Sequence, residues 1–285
     1  MQLKRQKILI EKKDGQLITF LYRNFLGRLL LKIISAPIIS NIVAKILNDR
    51  LSIFFIKGFV KKNNINLSEY EDKKYISYND FFTRKIKSAY RPINENKSVF
   101  ISPCDSKLSV YKINEASVFK IKNSLYKLED LLNDKKLASR YKDGYCLIFR
   151  LCVDDYHRYC YIDSGTKGKN KVIKGKLYTV RPIALENYNI YKENSREYTI
   201  LETNNFGSIT QIEVGATLVG KIKNHHQKYK FSKGEEKGYF EFGGSTIVLL
   251  VEKDKVKLEK EILNNTKNGY ETVVKYGEKI GIKSN

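Results

Sequence analysis

The decisive stretch of the sequence is KGEEKGYFEFGGSTIVLLVE, residues Lys233–Glu252. Residues 239–242 alternate aromatic and polar side chains, and Ile247–Val251 is an unbroken run of β-forming residues. This pattern predicts a buried strand that is interrupted by the sequence GGST at 243–246. Adjacent glycines in a strand mark either a bulge or the close approach of another group. Two interpretations therefore stay open: a glycine bulge in a core strand, or a strained Gly244–Ser245 bond whose serine hydroxyl attacks the preceding carbonyl.

Composition limits the class of protein. The chain has 285 residues, is 42% hydrophobic and carries a formal net charge of +22. These values indicate a globular protein of one large or two small domains. The charge favours a polyanionic partner, such as nucleic acid, an anionic membrane surface or acidic ligands.

The cysteines and the first residues indicate the compartment. Cys104, Cys146, Cys152 and Cys160 form no CxxC pair and have no zinc-type spacing with the three histidines. We therefore expect reduced thiols in a cytoplasmic protein and no metal site. The charged first thirteen residues do not read as a secretory signal.

The N-terminal region reads as helical. Ile8–Phe20 suggests a small hairpin or a docked arm, and Leu21–Leu47 predicts two helices split at Pro37. Its longest uncharged stretch, Ile33–Ala44, has 12 residues, whereas a spanning helix needs about 20. Apolar content and basic residues coincide here, which predicts docking on a membrane surface. The alternative is a helix pair in a core or a dimer interface.

The rest of the chain reads as β-rich. A short helix carrying Phe81, Phe82 and Ile86, capped by Asn79 or Asp80, leads into it. Tyr145–Val153 predicts a central strand. Shorter strands follow, separated by glycine and asparagine turns. We expect an α+β fold in which a helical region, residues 1–70, precedes a β-rich body of mainly antiparallel strands, residues 71–285.

The histidines narrow the candidate chemistry. His225 and His226 lie in a loop rich in lysine and asparagine, whereas His157 follows the most apolar strand and has charged neighbours. A serine nucleophile needs a base, and that base needs an orienting acid. Ser245, His157 and Asp105, the last in a tight Ser-Pro-Cys-Asp-Ser turn, are the candidates for these roles.

Six blocks of the sequence, in this order, resemble the phosphatidylserine decarboxylase family. They cover most of the chain from about residue 50 to residue 252. The blocks are FFTRKIKSAYRPI (81–93), SPCDSKL (102–108), DYHRYCYIDSG (155–165), GKLYTVRPIAL (175–185), VGATLVGKI (214–222) and KGEEKGYFEFGGST (233–246).

The resemblance implies a self-processing proenzyme. The Ser245 hydroxyl would attack the Gly244 carbonyl, and elimination and hydrolysis would leave a 1–244 β chain and a 245–285 α chain that begins with a pyruvoyl group. That pyruvoyl cofactor would form a Schiff base with phosphatidylserine and act as the electron sink for loss of CO2, giving phosphatidylethanolamine.

The family's residues carry over with one main departure and two smaller ones, Cys104 with Ser106 and Gly243. Asp105 matches the acid of the self-cleavage relay, Ser245 matches the nucleophile, and His157 matches the first histidine of the family's YHRxH pattern. Cys160 stands where the second histidine is usual. Three interpretations compete: His157 serves as the base, a Cys160 thiolate with a lowered pKa serves instead, or self-cleavage is slow or absent. We favour His157, since a neutral imidazole is the better base near pH 7.

The resemblance also implies partners and location. We expect phosphatidylserine in an anionic membrane, pairing of the two cleaved chains, and a peripheral position on the cytoplasmic side of the cell membrane. A homodimer stays open. One alternative is a non-catalytic lipid-binding relative that has lost self-cleavage through Cys160. Another is a basic nucleic-acid-binding β protein, which no motif in the sequence supports.

Overall fold

The computed structural model describes residues 5–9, 16–121, 124–178, 190–216, 221–243 and 245–284. The helices are α1 Gln16–Arg23, α2 Phe25–Ile34, α3 Pro37–Asn48, α4 Phe54–Lys62, α5 Tyr78–Phe82, α6 Leu128–Leu132, α7 Lys135–Ser139, α8 Ile190–Glu193 and α9 Lys260–Lys267. The strands are β1 Lys7–Leu9, β2 Val99–Ile101, β3 Ser106–Lys112, β4 Val118–Ile121, β5 Ser124–Lys127, β6 Tyr145–Leu151, β7 Arg158–Cys160, β8 Gly165–Lys167, β9 Lys171–Ile173, β10 Arg196–Thr203, β11 Gly207–Val214, β12 Ile222–Asn224, β13 Tyr229–Phe231, β14 Glu236–Phe240, β15 Ser245–Val251, β16 Val256–Leu258, β17 Tyr270–Val274 and β18 Lys279–Lys283.

A large antiparallel sheet forms the body. Within the described residues, nine of its ten strands follow the order β1-β17-β3-β6-β15-β11-β10-β8-β13, and β9 also pairs with β10. Two three-stranded sheets, β12-β14-β7 and β16-β18-β2, and the β4-β5 hairpin complete the β structure. The predicted α+β class with mainly antiparallel strands is confirmed. The predicted central strand is β6, which lies between β3 and β15.

The decisive stretch folds differently from its prediction. Residues 236–240 form β14 in a small sheet, and residues 245–251 form β15 in the large one. Ser245 and Thr246 therefore belong to a strand, and the interruption precedes them. Gly243 has φ +134°, a conformation that favours glycine. Gly244 lies outside the described residues, so the predicted Gly244–Ser245 cleavage site is described on its serine side alone.

The N-terminal helices follow the predicted split. Pro37 opens α3, where a missing amide proton costs nothing, and the Asn24 side chain caps α2 by accepting from the Leu26 amide. Tyr22 and Leu31 are 2% exposed and belong to the main core. The helical region is thus packed on the body, and its division from the body at residue 70 stays a prediction.

Many other apolar side chains of these helices face away from the core. Phe25, Ile38, Leu51 and Phe54 are 76%, 70%, 73% and 83% exposed. Among the described residues, no single helix has the length and apolarity of a membrane span. The segments Phe25–Ile34 and Ile38–Asn48 meet that test only when taken together, as a pair bent by 61°.

Helix α5 links the N-terminal helices to the body. Its N-cap is Ser77, whose side chain accepts from the Asp80 amide, so the predicted caps Asn79 and Asp80 are wrong and both lie inside the helix. Tyr78, Phe81 and Phe82 form a second apolar cluster with Ile56 of α4. Partly buried side chains packed on this cluster include Leu47, Phe59 and Phe242. The segment before Ser245 is therefore packed against α5.

Candidate active site

Three neighbouring strands bring the predicted site residues to one edge of the large sheet. Ser245 of β15 lies opposite Leu151 of β6, and Arg150 lies opposite both Thr246 and Lys107 of β3. Because the strands are antiparallel, the start of β3, the end of β6 and the start of β15 meet at this edge. Three parts of the chain adjoin these three ends. They are Asp105, the turn at residues 152–157, and residues 241–243, which lead to Ser245 and are called the scissile segment below.

Ser245 is a buried residue with an unsatisfied hydroxyl. It is 0% exposed, and its Oγ has no hydrogen-bond partner among the described residues. The next side chain, Thr246, is also buried, and its hydroxyl has no partner in the part of the chain that the structure describes. A buried hydroxyl without a partner is destabilising by about 1–3 kcal/mol, and such groups concentrate at functional sites. Ser245 therefore has the features of a nucleophile held away from bulk water.

His157 is held as a neutral base. Its Nδ1 lies 2.9 Å from the Asp155 carbonyl, which can only accept, so Nδ1 carries the proton and Nε2 has the free lone pair. Nε2 is buried and unpaired among the described residues. Burial lowers the pKa of the imidazole to about 4, against the opposing hydrogen bond to Asp155. The ring is therefore unprotonated at pH 7.

The imidazole lies beside the scissile segment. The Phe82 ring is 4.4 Å from the His157 ring and 5.1 Å from the Phe242 ring, measured between centroids. The Phe240 amide donates to the His157 carbonyl at 3.0 Å. Ser245 and His157 do not share a hydrogen bond in the described part of the chain. Both residues lie in one region of the fold, because the Phe82 ring packs against the His157 ring and against the ring of Phe242, three residues before Ser245.

A buried ion pair fixes the turn that carries His157. Lys107 Nζ donates to both Asp155 oxygens, at 2.6 and 2.8 Å, and the Cys152 amide donates to Asp155 Oδ2 at 2.7 Å. Donor atoms of Cys152, Asp154 and Asp155 lie within 4.8 Å of one another, a spacing that a metal ion could use. The Lys107 ammonium already neutralises the Asp155 carboxylate, so this cluster reads as a structural ion pair.

Asp105 is a buried acid whose bonds in this structure go to Arg91 and to the Tyr276 amide. Its carboxylate accepts from Arg91 Nε at 2.8 Å, Arg91 Nη2 at 2.6 Å and the Tyr276 amide at 2.8 Å, with Lys275 Nζ at 3.5 Å. Burial alone would raise the Asp105 pKa, but Arg91 and Lys275 outweigh it and lower the pKa. In the described residues these bonds do not reach His157, which the Asp155 carbonyl orients instead. Asp105 ties the start of β3 to Arg91 and to the segment after β17.

Cys160 does not meet the condition for a thiolate base. It is 0% exposed, and burial raises the pKa of its thiol to about 12. The Arg158 guanidinium donates to the Thr83 carbonyl and to Glu236, so its charge is already paired. The interpretation that needs a lowered Cys160 pKa therefore loses its support, and the thiol is neutral at pH 7.

Sequence reasoning missed a buried ion pair on the same face as Ser245. Lys237 Nζ donates to Glu213 Oε1 at 2.7 Å, and both side chains are 0% exposed. Glu213 lies opposite Ile247, which shares its sheet face with Ser245 two residues away. In the sequence, Glu213 and Lys237 are single charged residues inside strand patterns. Only the fold shows that these two residues pair with each other.

Comparisons with known proteins agree with the resemblance of the six blocks. A family model of phosphatidylserine decarboxylase matches residues 78–282. The chain is 55% identical over 270 residues to phosphatidylserine decarboxylase proenzyme 2 of Clostridium acetobutylicum, covering 94% of this chain and 92% of that protein. It is 45% identical to the phosphatidylserine decarboxylase proenzyme of Clostridium tetani, with 96% and 94% covered, and 43% identical to that of Clostridium kluyveri, with 96% and 95% covered. The chain therefore belongs to the phosphatidylserine decarboxylase family.

Proposed function

We propose that this protein converts phosphatidylserine to phosphatidylethanolamine and CO2 after cutting itself before Ser245. The observation that carries the proposal is the buried, unpaired Ser245 hydroxyl at the start of β15, in a chain whose relatives are named proenzymes. Decarboxylation is the activity in the names of those relatives.

Self-cleavage assigns roles to two side chains. Ser245 Oγ attacks the Gly244 carbonyl carbon, the carbon–nitrogen bond breaks, and the hydroxyl proton passes to the released amine. His157 Nε2 is the base that we assign to the proton transfer, because its lone pair is free and its ring is neutral. Removal of the α-proton of Ser245 then expels the Gly244 carboxylate and leaves a dehydroalanine at position 245. Water converts it to a ketone and ammonia.

The pyruvoyl group formed in this way supplies an electron sink for the loss of CO2 from the substrate. The residues present fit it, because Ser245 and Thr246 are both 0% exposed and lie between strands that fix their backbone. Burial limits the access of bulk water to this position. Lys107 and Asp155 hold the turn that carries His157.

The fold also supports pairing of the two cleaved chains. Strand β15 lies between β6 and β11 in the sheet, so residues 246–251 stay paired on both sides after the cut, and Ser245 stays paired with β6. Ile247–Val251 are 0–1% exposed. Cleavage at the start of this strand would therefore leave a noncovalent complex.

We further propose that the protein is peripheral to the cell membrane and docks through α2, α3 and α4. Residues 16–62 contain eight basic residues and one acidic residue. Exposed apolar side chains at Phe25 and Phe54 would enter the acyl region, and nearby lysines and arginines would contact anionic headgroups. Free cysteines at 104, 146, 152 and 160 support the cytoplasmic side.

Docking can be tested without the substrate. Phe54→Glu should weaken cosedimentation with phosphatidylglycerol vesicles, because Phe54 is 83% exposed on α4. Val172→Glu is the matched control, since Val172 is 67% exposed on β9, in the body. Equal binding by both variants would contradict the docking site. Deleting residues 21–47 would be a poorer test, because it also removes the buried Tyr22 and Leu31.

The activity is tested by release of CO2 and formation of phosphatidylethanolamine from phosphatidylserine in detergent micelles. Wild type should be active, and Ser245→Ala should be inactive. His157→Gln should slow self-cleavage by about 10²–10⁴-fold, the usual contribution of a general base. Uncleaved wild-type protein that binds phosphatidylserine without decarboxylating it would favour the non-catalytic lipid-binding alternative.

A further inference from the structure

One side chain of α5 connects the N-terminal helices to the scissile segment. Asn79 Oδ1 accepts from the Phe242 amide at 3.0 Å, and Asn79 Nδ2 donates to Asn48 Oδ1 at 3.0 Å. Asn48 is the last residue of α3, and its own Nδ2 donates to the Ala44 carbonyl at 2.8 Å. Asn79 is 9% exposed. A chain of hydrogen bonds therefore runs from α3 to the backbone three residues before Ser245.

The aromatic cluster around Asn79 fixes the same segment. The Phe242 ring packs edge-on against Tyr78 at 5.2 Å and against Phe82 at 5.1 Å. The Tyr78 amide donates to Ser52 Oγ at 2.8 Å, which ties the start of α5 to the N-terminal helices. Helix α5 thus contacts the scissile segment through Asn79 and Phe82, and it contacts the base His157 through Phe82.

The need for such an anchor follows from the glycines. Gly243 and Gly244 carry no side chains. Phe242 is therefore the last residue before the reactive bond whose own side chain can pack against the rest of the protein. Glycine also has the widest backbone freedom. A reacting group displaced by about 1 Å loses about 10²-fold in rate. A hydrogen bond to the Phe242 amide limits where the following carbonyl can lie.

We infer that Asn79 is a positioning residue for self-cleavage, which holds the Phe242 amide so that the Gly244 carbonyl stays within reach of Ser245. This inference rests on the proposed self-cleavage. Asn79 touches no reacting atom, and its effect passes through the backbone of the scissile segment. Loss of the hydrogen-bond acceptor at position 79 should therefore slow cleavage even where the precursor still folds.

The experiment measures the rate of self-cleavage of newly made precursor by gel electrophoresis, for wild type, Asn79→Leu and Asn79→Asp. Leucine removes both hydrogen bonds at similar volume, and aspartate keeps an acceptor for the Phe242 amide. We expect cleavage to slow at least tenfold in Asn79→Leu and to stay within about threefold of wild type in Asn79→Asp. Asn63→Leu is the matched control, because among the described residues the Asn63 side chain donates only to the Phe59 carbonyl near the end of α4. This variant should cleave as wild type does.

Stability separates positioning from folding. Urea unfolding of each variant with Ser245→Ala present shows whether the precursor folds. Asn79→Ala replaces the leucine variant if leucine does not fold, with the same expected loss of rate. Folded Asn79→Leu or Asn79→Ala that cleaves at the wild-type rate overturns the inference and leaves the proposed function standing. Wild type that does not cleave overturns both.

Discussion

The neutral state of His157 makes a quantitative prediction. Its pKa is about 4 in the fold and 6.5 in the ordinary imidazole. Between these values the unfolded chain binds a proton that the folded chain does not, so stability falls as the pH falls through this window. The linkage relation gives a loss of about 2 kcal/mol from pH 7.5 to pH 5, and about 3 kcal/mol below pH 4. Above about pH 7.5 the contribution is flat.

The assay compares two precursors that cannot cleave. Ser245→Ala alone and Ser245→Ala with His157→Gln are unfolded in urea at pH 7.5 and at pH 5. Unfolding is followed by the fluorescence of the 20 tyrosines, since the chain has no tryptophan. Glutamine keeps an amide donor for the Asp155 carbonyl but does not titrate. The protein with His157 should lose about 2 kcal/mol more than the other between the two pH values.

A control and a refuting result complete the test. His225→Gln changes a histidine whose side chain is 36% exposed, keeps His157, and should retain the full loss. Equal pH dependence with and without His157 would refute a buried neutral imidazole. The assignment of His157 Nε2 as the base for self-cleavage would then lose its physical support.

The remaining predictions concern a thiol and two ion pairs. Cys160→Ser should leave the self-cleavage rate on gels within about threefold of wild type, because a thiol with a pKa of about 12 is not a base at neutral pH. A loss of rate of about 100-fold would instead support a Cys160 thiolate as the base. Arg91→Met should lower the free energy of unfolding by about 3–5 kcal/mol, since it leaves the buried Asp105 carboxylate without its bidentate partner. A loss below about 1 kcal/mol in urea would contradict this. Lys237→Met should be similarly destabilising, and adding Glu213→Gln should recover most of the loss by removing the unpaired charge. A double variant no more stable than the single one would show that charge pairing is not the cause.

Much of the fold could be predicted because the local signals agree. Pro37 splits two helices, and the apolar run from Tyr145 becomes a central strand. The interruption at residues 243–246 was misplaced, because periodicity does not show that β14 and β15 join different sheets. The sequence did not single out Ser77 as the cap of α5, because Asn79 and Asp80, two and three residues later, also favour cap positions.

The site was predictable in its identities and less so in its contacts. The glycine pair marked Ser245, and the charged turn after β6 marked His157. The partner of Asp105 required the fold, since Arg91 is 14 residues away in sequence. The bond from Asn79 to the Phe242 amide spans 163 residues. Side-chain partners so distant in sequence leave no periodic signal in a single chain.

Intact mass of the purified protein, with Ser245→Ala beside it, tests the central claim most directly. Wild type should give two polypeptides, residues 1–244 and residues 245–285, the second blocked by a ketone that borohydride reduces. Ser245→Ala should give one uncut chain. A single uncut chain in both proteins would contradict self-cleavage at Ser245 and with it the proposed source of the pyruvoyl group.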